Sequence, residues 1–375
     1  MQKWIKKGIN SYLEYKSFKT EQRLVIIESD DWGSLRTQDK PTRNKLNAIS
    51  NSVKNDRYIQ LDSIATAEDL QALFEVLNSV KDHKGNPARL TANICTANPD
   101  FDAIKACNYT KFHYQDFTKT LSDYSNSTNL FKLWQEGRQH KVFKPQLHGR
   151  EHLHALAWLA ELRAGNKDLL KAFELNTWGI PYVALLDQRR KNLQAALDIY
   201  GIDGEANYHK QWIEDSAEIF KKTFGYTANS FIAPAYIWHS HHNAILAKLK
   251  IKILQGIKLQ YEPKISNKHY NRKLSYIGKT DKKNSLIYAP RNAFFEPNNS
   301  PHKDWVSITM QGVEEAFKKN QPVIIGSHRI NYIGSLNENN RRDNLAMLKT
   351  ILKKTVNQYP DVEFISSDQL LDKIQ

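Results

Sequence analysis

Leu24-Val-Ile-Ile-Glu-Ser-Asp-Asp-Trp-Gly33 is the stretch on which the reading of this chain turns. Four consecutive aliphatic residues, Leu24 to Ile27, have the unbroken apolar character of a strand covered on both faces. Two aspartates follow directly, and Gly33 supplies the positive φ that a turn needs there. The layout recurs twice. The run 143–147 leads into His148-Gly-Arg-Glu-His152, and Val323-Ile-Ile-Gly326 leads into Ser327-His328. Three polar clusters, each just beyond an apolar strand, fit a parallel α/β barrel, whose strand C-termini converge on one face.

Outward from these runs, short apolar segments alternate with longer ones of helical period, which predicts an α/β fold with a mainly parallel sheet. Strands are predicted at 24–28, 89–95, 143–147, 230–233, 251–254, 285–289, 323–326 and 362–365. The clearest helix starts at Thr66, with Asp69 at its third position completing a capping box and Leu70, Leu73, Phe74 and Leu77 on one face. Further helices are predicted at 130–138, 154–164, 213–224, 241–250, 313–319, 340–357 and 368–374. No repeat or long Pro/Gly/Ser linker divides the chain, so residues 21–375 read as one domain. Its insertions fall near 36–65, 108–128 and 165–210 and wall a cleft. Within residues 1–20, Ile5, Ile9 and Leu13 recur at four-residue spacing and predict an amphipathic helix.

A formal charge of +14 draws the protein toward anionic surfaces, and much of it sits between Lys248 and Lys283. No nucleic-acid motif accompanies that charge, so no specific nucleic acid is expected. Two cysteines, Cys95 and Cys107, build neither a disulfide scaffold nor a zinc finger, and a reducing compartment is the default. No apolar run approaches the roughly 20 residues of a membrane span. The N-terminus also lacks the apolar core of a signal peptide. A cytoplasmic protein is expected, able to lie at the inner face of a membrane through Lys3, Lys6 and Lys7.

The polar clusters carry the chemistry. One of two adjacent carboxylates can ligate a cation while the other accepts a proton. Two histidines four apart meet on one side of a helix or across a tight turn. Two imidazoles and one carboxylate leave a coordination position open for water. Imidazoles favour zinc, and cobalt, nickel, manganese or iron also suit such a set. Around them, Trp32 offers a ring either to a sugar face or to the core. Arg150 and Glu151 stand between the histidines, as ligand-orienting groups or as a surface ion pair. Pro234, Tyr236 and Trp238 are read as cleft-lining, and His239, His241 and His242 as exposed.

These residues resemble the polysaccharide deacetylases, carbohydrate esterase family four, built on a NodB-homology domain. That family's Thr-Phe-Asp-Asp-Gly motif is matched by Glu28-Ser-Asp-Asp-Trp-Gly33, and its His-Ser-x-x-His motif by His148-Gly-Arg-Glu-His152. Its Arg-x-Pro stands beside Ile232-Ala-Pro234, and its last motif, an apolar strand ending in histidine, is matched at His328. Glu28–Ser34, Phe231–Pro234, Arg291–Pro297 and Gly326–Arg329 further resemble a bacterial polysaccharide (de)acetylase-like subgroup. The resemblance implies a distorted (β/α)7-type barrel with large loop insertions. It implies that Asp31, His148 and His152 bind a divalent metal, that Asp30 is the general base, and that His328 is the general acid. The implied reaction removes an acetyl group from an acetylated sugar or polysaccharide precursor. Three positions depart from the pattern: Ile232 replaces the motif's arginine, Gly149 its serine and Leu153 its proline. Arg36, Arg150, Arg291 and Arg329 are the arginines available as replacements. The missing arginine also leaves open an inactive glycan-binding protein on the same barrel, and the charge a polyanion-binding one.

Overall fold

The computed structural model describes residues 11–124, 130–181, 193–265 and 269–374. Its centre is a set of parallel strands: β1 (Leu24–Trp32), β2 (Leu90–Cys95), β3 (Phe143–Gly149), β4 (Ser230–Phe231), β5 (Ile253–Gly256), β6 (Leu286–Pro290), β7 (Ala293–Phe294) and β8 (Val323–His328). Pairing runs β8-β1-β2-β3-β4-β5-β6, with every neighbour parallel. β6 and β7 are two halves of one bent stretch. The first half pairs with β5 at Ile287–Ile253 and Pro290–Gly256, and the second pairs with β8 at Ala293–Ile325. That bend closes the ring into a distorted (β/α)7 barrel.

Side-chain alternation sorts the strands into two faces. Leu24, Ile26, Ile253, Ala289 and Ile324 form one apolar cluster with Ile365 and Leu370, filling the lower barrel. Val25, Ile27, Leu254, Val323 and Ile325 belong to a larger cluster on the outer face. The helices covering that face include α1 (Ala67–Asn78), α2 (Leu130–Gln139), α3 (Glu205–Phe224), α4 (Trp305–Lys318) and α5 (Glu338–Gln358). The Thr66–Asp69 capping box opens α1, with Leu70, Leu73, Phe74 and Leu77 buried.

Several elements depart from the sequence reading. α3 starts eight residues before the predicted 213 because Gly204, in the left-handed region at φ 78°, opens it without a side-chain cap. α4 starts at Trp305, where Asp304 accepts the Ser307 N–H. The region 36–65 contains three short helices, Lys40–Leu46, Asn51–Lys54 and Arg57–Leu61, capped by Asp39, Ser50 and Asp56. Of the predicted N-terminal helix, residues 1–10 lie outside the described residues; residues 11–16 are helical, with Leu13 buried and Tyr12 and Tyr15 exposed. Among the described residues, no helix is long and apolar enough to cross a membrane.

Candidate metal centre and proton-handling groups

Asp30 and Asp31 reach the barrel mouth together because β1 is irregular there. Asp31 has φ 72°, and the pairing of β1 with β2 slips between Ser29 and Trp32. A regular strand would send neighbouring side chains to opposite faces, and the slip re-aims Asp31 toward the mouth. Gly33, at φ 82°, is pressed against β2: a Cβ there would sit 2.4 Å from the Cys95 carbonyl oxygen.

Asp31, His148 and His152 converge. Asp31 Oδ1 lies 3.4 Å from His148 Nε2 and 3.5 Å from His152 Nε2. His148 comes from the end of β3. Gly149 then turns the chain at φ 105°, where a side chain would collide with the Trp212 ring, a Cβ lying 1.8 Å from it. So the two imidazoles meet across a turn, and serine does not fit at position 149. His148 Nδ1–H donates to the Ile232 carbonyl oxygen at 2.9 Å, which leaves Nε2 as the ring atom facing Asp31. His152 stacks on the Trp178 ring, 6.2 Å between centroids and 19° between planes. Burial holds the His152 imidazole at about 3, hence neutral. Burial raises Asp31, but Arg36 and the nearby imidazoles outweigh it and hold the carboxyl well below the usual range. Asp31 Oδ1 and His148 Nε2 are buried without hydrogen-bond partners. An ionised carboxylate facing two imidazole Nε2 atoms, with no hydrogen-bond donor or acceptor to satisfy Asp31 Oδ1 or His148 Nε2, is a set that a divalent cation fits.

Asp30 is held differently. Arg291 Nη1 and Nη2 donate to its two oxygens at 2.8 and 2.6 Å, while Arg291 Nε donates to Glu28 at 2.8 Å. Arg291 lies at the bend between β6 and β7, and Gly326 makes room for it: a Cβ there would be 2.3 Å from Arg291 Cδ. Asn93 Nδ2 also donates to Asp30 Oδ1 at 2.7 Å. Burial pushes Asp30 up, yet Arg291, His148 and His328 together lower it to about 2. His328 Nε2 stands 3.7 Å from Asp30 Oδ2, and its Nδ1–H donates to Glu296 at 2.5 Å. Burial opposes the imidazolium, but Glu296 and the two aspartates outweigh it and raise His328 to about 9. Asn331 donates to the other Glu296 oxygen at 3.0 Å. Glu296 and Glu28 were not singled out from sequence; Glu296 sits in the Arg291–Pro297 segment, five residues beyond the arginine it works beside.

Other sequence candidates lie elsewhere. Trp32 is not at the mouth: it is buried on the outer face, edge-on to Trp134 and Phe143 at 6.2 and 5.0 Å, because the strand slip turns it away from Asp31. Trp238 is also core, donating to Asn243 at 3.2 Å. Pro234 is buried; Tyr236 reaches the site, its hydroxyl accepting from Arg291 at 2.9 Å. Arg329 forks onto Asp62 at 2.9 Å and is sealed behind Arg36, whose Nη2 donates to Asp31 at 3.3 Å. Arg150 and Glu151 are a buried pair, not a surface one. Arg150 donates to Glu151 at 2.6 Å and to Asp215 of α3 at 2.7 Å, so the pair ties the turn between the histidines to that helix. His242 is buried as well, against the expectation of exposure.

No family model matches the chain, and no curated protein matches it. Solved structures align over most of its length. A provisionally named polysaccharide deacetylase from Mycobacterium smegmatis is 8% identical, covering 96% of this chain and 93% of its own, with TM-score 0.47. One from Pseudomonas aeruginosa PAO1 is 7% identical, covering 94% and 89%, with TM-score 0.42. A GH57-type branching enzyme from Pyrococcus horikoshii is 10% identical, covering 95% and 71%, with TM-score 0.44. At such scores these likenesses carry no argument, and the barrel rests on its own strand pairing.

Proposed function

We propose that this chain is a metal-dependent hydrolase that removes an acetyl group from an acetylated sugar or polysaccharide precursor. The observation that carries the reading is the convergence of Asp31, His148 and His152, with Asp31 Oδ1 and His148 Nε2 unpartnered, beside a separately held carboxylate–imidazole pair. Asp31 Oδ1, His148 Nε2 and His152 Nε2 would hold a divalent cation, zinc being favoured by two imidazoles. Bound there, the cation would supply Lewis acidity, activating water and polarising an acyl oxygen.

The chain's own residues do the rest. Asp30 is ionised and accepts a proton through the carboxylate that Arg291 orients. His328, kept protonated by Glu296, donates a proton to the departing amine or alcohol. The 3.7 Å between them places both within reach of one substrate group. Arg291 also answers the departure at Ile232. A guanidinium from the β6–β7 bend holds Asp30 where the resembled family uses its third motif, which supports an enzyme over a binding-only protein.

Acetate release from a panel of N- and O-acetylated sugars and oligosaccharides tests the proposal. Acetate is expected from at least one substrate, abolished by chelation, restored by zinc, and reduced at least about a hundredfold by Asp30→Asn. No acetate from any substrate in zinc-loaded protein would count against the proposal.

A further inference from the structure

Behind the segment that carries His152 lies a second group of ligand-type side chains. His154, Glu205 and His209 are all buried, and one ligand atom from each lies within 4.8 Å of the others. Glu205 and His209 are one turn apart on the first face of α3. His154 caps the helix Ala155–Arg163. Its Nε2 is 3.0 Å from Glu205 Oε1. Glu205 is fixed by the Tyr200 and Gly201 N–H groups, which donate to its Oε1 at 2.8 Å and its Oε2 at 3.1 Å. His209 Nε2 is buried and has no hydrogen-bond partner. The same is true of His242 Nδ1, whose ring centroid is 5.4 Å from that of His209. Two bare imidazole nitrogens beside a buried carboxylate call for an explanation that hydrogen bonding does not supply.

We propose that His154, Glu205 and His209 form a second divalent-cation site, separate from the one in the barrel mouth. Two imidazoles and a carboxylate are ligands of the zinc type, and full burial suits a structural ion, with His242 the adjacent imidazole for a fourth position. The ion would tie the chain leaving β3, which presents His152, to the start of α3. The site is the weaker of the two. In the barrel mouth His148 Nδ1–H already donates to a carbonyl, so Nε2 is free to ligate. His154 Nδ1 instead accepts the Ala157 N–H at 3.2 Å, while its Nε2–H donates toward the Asp198 carbonyl oxygen at 3.1 Å, and both bonds must be given up when Nε2 ligates. Two lost neutral hydrogen bonds make the affinity roughly tenfold to a hundredfold lower than at the barrel mouth.

Equilibrium dialysis of the full chain against zinc alone, read as equivalents bound per chain, tests this. Wild type is expected to bind two equivalents in two affinity classes. His209→Gln and Glu205→Gln each lose the weaker class, with circular dichroism unchanged, whereas His148→Gln loses the tighter class and keeps the weaker. The two sites therefore fail independently. A single class of one equivalent in saturated wild type overturns the proposal, whether or not the variants fold. So does retention of two equivalents by either α3 variant.

Discussion

Single side chains at the barrel mouth show which parts of the chemistry are written locally and which are not. Asp31, His148 and His328 were legible because each ends an apolar strand, and strand ends gather on one face of such a barrel. The arginine serving Asp30 was not. Four candidates carry the same charge, and only the bend after Pro290 brings Arg291 rather than Arg36, Arg150 or Arg329 to both Asp30 oxygens. Trp32 stayed open between sugar face and core for a related reason: a one-residue slip decides its face, and nothing in Asp-Asp-Trp-Gly announces the slip. His328 carries a pH prediction. Its folded pKa of about 9 lies above the ordinary value, so its pairing with Glu296 and Asp30 stabilises the fold fully below about pH 6.5. That contribution is lost as pH rises through about 9. Denaturant melts of chelated wild type and His328→Gln check it. The stability gap is expected to be largest near pH 6 and to shrink by about pH 10; a gap that stays level across that range contradicts the assignment.

At the level of strands and helices, period and caps were sufficient wherever an element is long and apolar. β1, β2, β3 and β8 were each placed within a few residues; β2 ends at Cys95 as predicted, while β1, β3 and β8 run past their predicted ends because the residues of the polar clusters themselves continue the ladder. The two-residue β7 had no pattern to read, yet it closes the ring. The first turns of α3 are polar and start at a glycine, so neither apolar period nor a side-chain cap marks them. Packing between β8 and the β6–β7 bend yields a second prediction. Gly326→Ala places a methyl 2.3 Å from Arg291 Cδ. It should cost about 1–3 kcal/mol of stability. It should also lower kcat by displacing the arginine from Asp30, while zinc content stays at the wild-type value. Melts and steady-state kinetics of the one variant read both; unchanged kcat would separate Arg291 from the reaction.

For the molecule as a whole, the barrel class was readable from alternating strands and helices, whereas its means of closure was not. Seven parallel strand positions exist only because one stretch of chain serves two neighbours, a fact of three dimensions. The same architecture explains why residues some three hundred positions apart meet: β8 and β1 pair in register, setting His328 directly opposite Asp30. The strand order then sets β3, with His148, next to β2 on the other side. The proposed hydrolysis depends on one cation seated among Asp31, His148 and His152. An anomalous-scattering map from crystals of zinc-loaded protein addresses that most directly. A peak is expected about 2.0–2.2 Å from Asp31 Oδ1, His148 Nε2 and His152 Nε2. Saturating zinc with no peak among those three atoms would contradict it.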